Sequence, residues 1–324
     1  MGIAALVILI CHSNAYITFP SFFPSQTTRI LGTCAQYGVK IFFFLSAIRL
    51  FFSMKKNDNV RDFYKKRLVR ILIPYIMISL VCLPIKYFVI TNTPWAFISD
   101  FFLFGYYVNG KSTWFIAAIL PMYFIYPFLY RARIKFKWFS PISAIIYFAL
   151  ALVLKGAFPD YYNILTNMIS GGFAFLMGII IAPYVYEKKK FNTLTLLTML
   201  AAYLLLFVVF KVGKTYIGGV TIELLSSSLP IICCYVCAFI LDKLPKIFNK
   251  IFEFCGKMSL ELYLLGTVIY IMAAFGLDSL VSEIEPRGFL FYFIAMIITF
   301  ILAIGFFNLN KHITSLLYKN KKSS

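Results

Sequence analysis

The strongest constraint in this sequence is a series of apolar stretches, each near the ~20 residues that a helix needs to cross the hydrocarbon of a bilayer. Divided at proline, glycine and charge, ten emerge. They run over Met1–Phe19, Ala35–Met54, Ile71–Ile90, Thr113–Tyr130, Phe139–Leu154, Met168–Tyr186, Leu194–Phe210, Glu223–Leu241, Ser259–Phe275 and Gly288–Leu309. The expected fold is therefore all-α: a polytopic membrane helix bundle of about ten spans. With 61% hydrophobic and 13% charged residues, a soluble domain of 324 residues would expose large apolar patches. Residues 1–310 are expected to form one membrane-embedded domain, with 311–324 a basic cytoplasmic tail.

The formal charge of +19 invites a nucleic-acid reading. The basic residues nevertheless lie in short clusters between apolar runs, which is the loop signal of a membrane protein. Seven lie in 55–70, four in 131–137, three in 188–190, four in 243–257 and four from Lys311 onward, together 22 of 31. These segments alternate with loops poorer in charge, so both termini are expected in the cytoplasm. The apolar segment Trp95–Tyr107 is too short to span and is expected at the interface or re-entrant. No fixed-period or inverted repeat is visible. The first span lacks the positive lead and cleavage site of a signal peptide and is read as retained.

Polar groups within hydrocarbon are costly and mark function or a specific partner. His12 is the foremost. A neutral imidazole there suits a general base toward a hydroxyl, or a nucleophile that holds an acyl group; the structural alternative is a hydrogen bond to a neighbouring helix. In Phe63–Tyr75, a helix places Val60, Phe63, Tyr64, Leu68 and Ile71 on one apolar stripe, with Arg67 inside it and Arg70 at its edge. Two guanidinium forks turned toward protein suit phosphate, whereas lipid headgroups are the other reading. Lys40, near one end of its span, can meet an anionic acceptor, and Arg49, about 180° around the same helix, is expected to snorkel. Glu261 is expected to pair with Lys257, one turn earlier. The seven cysteines form no metal-ligand spacing and no disulfide framework. Cys233, Cys234 and Cys237 are read as packing residues.

GIAALVILICH (Gly2–His12), YGVKIFFFLSA (Tyr37–Ala47), FYKKRLVRILIPY (Phe63–Tyr75), STWFIAAILPMYFIYPFLY (Ser112–Tyr130) and SLELYLL (Ser259–Leu265) occur in the order of the blocks of the acyltransferase-3 family. The chain resembles that family, whose members O-acetylate bacterial envelope polysaccharides. The resemblance implies His12 as the essential histidine and Arg67 and Arg70 as the RxxR arginines at the acyl-CoA site. Trp114 and Tyr263, within the two weaker blocks, join Lys40 as substrate-binding candidates. It further implies acyl-CoA as donor substrate, with no permanently bound cofactor, and an envelope glycan or lipid-linked sugar as acceptor in a bacterial plasma membrane. Three positions depart from the pattern. An arginine separated from the histidine by ten residues is replaced by Met1, so the true start is expected upstream. Gly266 stands where relatives often carry histidine, and Lys40 where an acidic or polar residue is common. The competing function class is a transporter or flippase for a glycan or lipid intermediate.

Overall fold

The computed structural model describes residues 1–13, 25–90, 92–110, 114–136, 138–189, 201, 204–205, 208, 216–278 and 287–319. Its elements are α1 (Gly2–Ser13), α2 (Ser25–Lys56), α3 (Val60–Pro84, continuing as a π-helical turn over Ile85–Ile90), α4 (Pro94–Phe101), α5 (Phe104–Asn109) and α6 (Trp114–Lys135). They continue with α7 (Phe139–Ala157), α8 (Pro159–Tyr186), α9 (Tyr216–Ser226), α10 (Leu229–Lys243), α11 (Lys246–Lys257), α12 (Ser259–Asp278) and α13 (Arg287–Lys319). No strand occurs among the described residues. Helices satisfy their backbone hydrogen bonds internally, which hydrocarbon requires.

Among the described residues, seven stretches are long and apolar enough to cross a membrane: Tyr37–Lys56, Val60–Phe88, Trp114–Lys135, Phe139–Ala157, Pro159–Tyr186, Gly219–Lys243 and Phe293–Leu316. Each overlaps an expected span. The expected span Leu194–Phe210 lies almost wholly outside the described residues, as do residues 14–19 of the first. Helix ends differ more than positions. α3 starts at Val60, ahead of the span bound at Ile71 and as the helical stripe from Val60 requires, because Asn59 caps it: Asn59 Oδ1 accepts hydrogen bonds from the backbone N–H groups of Arg61 (3.0 Å) and Asp62 (3.2 Å). Residues 60–70 of the basic stretch are thereby helical. α8 begins at Pro159, directly after α7, and absorbs the expected loop up to Asn167; proline at the first helical turn and Asp160 beside it are both favourable there. α13 runs on through Lys319, so the basic tail from Lys311 is helical to that point.

The chain divides into two units. One comprises 1–38, 65–104 and 245–324; the other comprises 39–64 and 105–244. In the second, α2 and α8 approach through small residues. A Cβ on Gly178 would lie 2.4 Å from the Phe44 carbonyl oxygen, and one on Gly171 2.6 Å from the Phe43 ring. Ala174 and Ala182 complete this face of α8 and are fully buried. Close backbone approach replaces the hydrophobic effect as the source of helix association in lipid. The Tyr126 hydroxyl, buried in the same core, donates to the Ala47 carbonyl at 3.3 Å.

In the first unit, α1 packs on α11 and α12 and buries Ala4, Ala5, Ile8 and Leu9. A Cβ on Gly266 would come within 2.7 Å of Leu9 Cδ1, so the glycine that departs from the family pattern is a seat for α1. α4 is fixed to α3 by Tyr75, whose hydroxyl reaches the carbonyl oxygens of Asp100 (2.8 Å) and Phe101 (3.0 Å). The Asp100 side chain is buried, accepts a hydrogen bond from the Tyr87 hydroxyl and pairs with Lys86 at 3.6 Å. With eight and six residues, α4 and α5 span about 12 Å and 9 Å. Neither crosses a bilayer.

Candidate functional site

The α3 register carries the arginine pair. Phe63, Ile71, Tyr75 and Ile78 are buried along one side of this helix. Arg67 lies between Phe63 and Ile71 on that side, four residues from each, which is one turn. It is half-buried with its Nε fully enclosed, as its place in the predicted stripe requires. Leu68 is a correction to that stripe: at 42% exposure it turns outward, because the buried face follows i, i+4 steps through Arg67 rather than through Leu68.

Arg70 is exposed, and its charge acts on the Glu261 carboxylate at the start of α12. Glu261 is 3% exposed and accepts a hydrogen bond from Asn310 Nδ2 at 3.2 Å. The pairing of Glu261 with Lys257 does not form. Lys257 instead lies 2.8 Å from Glu253, one turn back on α11, and that contact holds the Glu253 carboxyl below its ordinary range. The difference is one of burial: Lys257 faces water and Glu261 faces protein. Planar guanidinium forks match phosphate oxygens, and Arg67 and Arg70 lie three residues apart on α3. Tyr263 lies half-buried two residues beyond Glu261 in the same unit.

His12 occupies the last turn of α1, and its side chain lies outside the described residues. Its backbone lies one turn beyond Ile8 on α1. Arg67, Arg70, Tyr263 and His12 thus all belong to the first unit.

Lys40 and Trp114 belong to the second unit, where Lys40 opens onto a polar cluster that the sequence did not reveal. Lys40 Nζ donates to Ser226 Oγ at 2.9 Å, and Ser226 Oγ donates to the Glu223 carbonyl at 2.7 Å. The Tyr162 hydroxyl donates to Glu223 Oε2 at 2.7 Å. Lys155 Nζ stands 5.4 Å from the centre of the Tyr162 ring and packs against Gly219, where a Cβ would lie 2.9 Å away. The charges of Lys40 and Lys155 both act on Glu223. Glu223 Oε1 is buried and accepts no hydrogen bond among the described residues. Four helices, α2, α7, α8 and α9, therefore converge on one carboxylate that retains an open acceptor position. Trp114 packs on Phe43, three residues along α2 from Lys40, with ring centres 6.3 Å apart. Arg49, on the same helix, is exposed, as its register predicts.

Glu223 and Lys155 were passed over because each sits at the boundary of an apolar run, where a charge reads as a span end. The available signal was that both are polar interruptions within one turn of hydrocarbon; the charge of Lys155 reaches Glu223 only through tertiary structure, across 68 residues of sequence. Asp100, buried on α4, is instead a polar interruption inside an apolar run too short to span.

An acyltransferase-domain family model, that of the acyltransferase-3 family, matches residues 2–308. No curated protein and no solved structure matches the chain. The match spans α1 to the first two-thirds of α13 and includes every candidate position described above. With multiple apolar helices around these groups, the chain is a multi-pass membrane acyltransferase and belongs to the acyltransferase-3 family.

Proposed function

We propose that this protein transfers an acyl group, acetyl foremost, from cytoplasmic acyl-CoA to a hydroxyl of an envelope polysaccharide or glycolipid. In this reading it crosses a bacterial plasma membrane ten times, with both termini in the cytoplasm. Arg67 and Arg70 take the phosphates of the donor. His12 removes the proton of the acceptor hydroxyl as its oxygen attacks the thioester carbonyl. The C–O bond forms as the C–S bond breaks, and the proton passes from the imidazole to the departing thiolate. Alternatively His12 accepts the acyl group first and passes it on. Within the second unit, Lys40, Glu223 and Tyr162 suit a sugar hydroxyl, which would supply the donor that Glu223 Oε1 lacks among the described residues, and Trp114 is a further substrate-binding candidate there; Tyr263 is one in the first unit.

The observation that carries the reading is the family match over residues 2–308. Support comes from the half-buried Arg67 on the protein-facing side of α3 and from the polar cluster around Glu223. The test is incorporation of labelled acetyl from acetyl-CoA into envelope glycan by membranes that contain the protein. Ester-linked label supports the reading. A flippase would instead move glycan across the membrane and form no ester.

A further inference from the structure

The basic segment between α10 and α12 is not an extended loop. It folds as α11, and its side chains divide into three sectors. Phe252, Cys255 and Gly256 turn toward α1: a Cβ on Gly2 would fall on the Phe252 carbonyl oxygen, and one on Gly256 lies 3.2 Å from the Gly2 nitrogen. Lys246, Lys250, Glu253 and Lys257 are exposed on a second side. Ile247, Phe248, Ile251 and Phe254 form the third and are 58%, 44%, 47% and 44% exposed. A twelve-residue helix is too short to cross a bilayer, and four large apolar side chains in a row do not face water.

We propose that α11 is an interfacial helix that lies in the headgroup layer of an anionic leaflet and seats α1 there. Ile247, Phe248, Ile251 and Phe254 enter the acyl boundary. Lys246 and Lys250 meet lipid phosphates, while Glu253 is already engaged by Lys257 at 2.8 Å. Continuity with the bilayer supports lipid as the occupant: α10, ending at Lys243, belongs to a membrane-length apolar stretch, and α12 resumes an apolar run at Ser259. Charge complementarity selects anionic lipid, since 243–257 carries four lysines against one glutamate. Because Gly2 rests directly on the Phe252 backbone, the position of α11 sets the position of the helix that carries His12. This inference does not depend on the acyl-transfer reading.

The test is labelling of Lys250→Cys and Ile251→Cys by a charged maleimide, scored on the modified peptide by mass spectrometry, with the protein in single-copy lipid nanodiscs. These neighbours point about 100° apart. In phosphatidylcholine with about 30% phosphatidylglycerol, Cys at 251 should label at least about tenfold more slowly than Cys at 250. In pure phosphatidylcholine, or with Lys246→Gln added to both variants, the difference should shrink severalfold. Equal labelling in the anionic discs overturns the interfacial placement. Protection that appears only in discs holding two copies assigns the face to a second chain and also overturns it. Protection that ignores lipid charge removes anionic lipid as the partner.

Discussion

The Tyr162–Glu223 contact permits a quantitative test of the polar cluster. Tyr162→Phe removes the hydroxyl that donates to Glu223 Oε2 at 2.7 Å and keeps the ring beside Lys155. Since Oε1 already lacks a donor among the described residues, neither carboxylate oxygen would then accept a hydrogen bond from them. Side-chain hydrogen bonds between membrane helices average about 0.6 kcal/mol and reach about 1.7. A charged acceptor roughly doubles a neutral bond, so the coupling between Tyr162 and Glu223 should be about 1–2 kcal/mol. A double-mutant cycle of Tyr162→Phe, Glu223→Leu and the pair, followed by reversible unfolding in bicelles, measures it. A coupling below about 0.5 kcal/mol would refute the argument, since that is the scatter of independent sites. The same variants read the acceptor role. Glu223→Leu should lower glycan acylation at least about tenfold, the effect of one 1.4 kcal/mol contact, while the affinity for acetyl-CoA stays unchanged.

Three further outcomes follow from the packing. Arg67→Lys keeps the charge but loses the planar fork, and should weaken acetyl-CoA binding by about tenfold in titration calorimetry, whereas Arg70→Lys, at an exposed position, should cost less. Gly178→Leu places a Cβ 2.4 Å from the Phe44 carbonyl and should destabilise by at least about 3 kcal/mol, the upper end for overpacking; Gly305→Leu, with nothing within 4 Å, should be neutral in the same thermal unfolding assay. Asp100→Ala removes the buried acceptor of the Tyr87 hydroxyl and the carboxylate 3.6 Å from Lys86 and should cost about 3 kcal/mol, while Lys86→Met combined with Asp100→Asn, which keeps a side-chain acceptor for Tyr87, should cost less than Asp100→Ala alone.

Much of the fold could be read from the sequence because membrane helices announce themselves through run length and loop charge, both local properties. The apolar runs at Phe139, Met168 and Gly288 each fall on a helix. Ends were less legible. α3 starts at Val60, as the helical stripe from Val60 requires, although its apolar run starts only at Ile71, and α8 absorbs residues that lie between two apolar runs. Arg67 was placed correctly because helical periodicity is a one-dimensional fact. The Glu261 partner was not: local spacing favours Lys257, but Asn310, 49 residues away, and the charge of Arg70 act on the buried carboxylate. Glu223 escaped notice altogether, since its significance lies in three other helices that meet it.

The central claim is acyl transfer that depends on His12. Its most direct test is the ester content of envelope glycan, by mass analysis, in cells that carry either the wild-type chain or His12→Ala at equal membrane levels. Esterified glycan with the wild type and its loss with His12→Ala, the variant still inserted and still binding acetyl-CoA, is the predicted result. Undiminished ester in the His12→Ala cells would contradict the account.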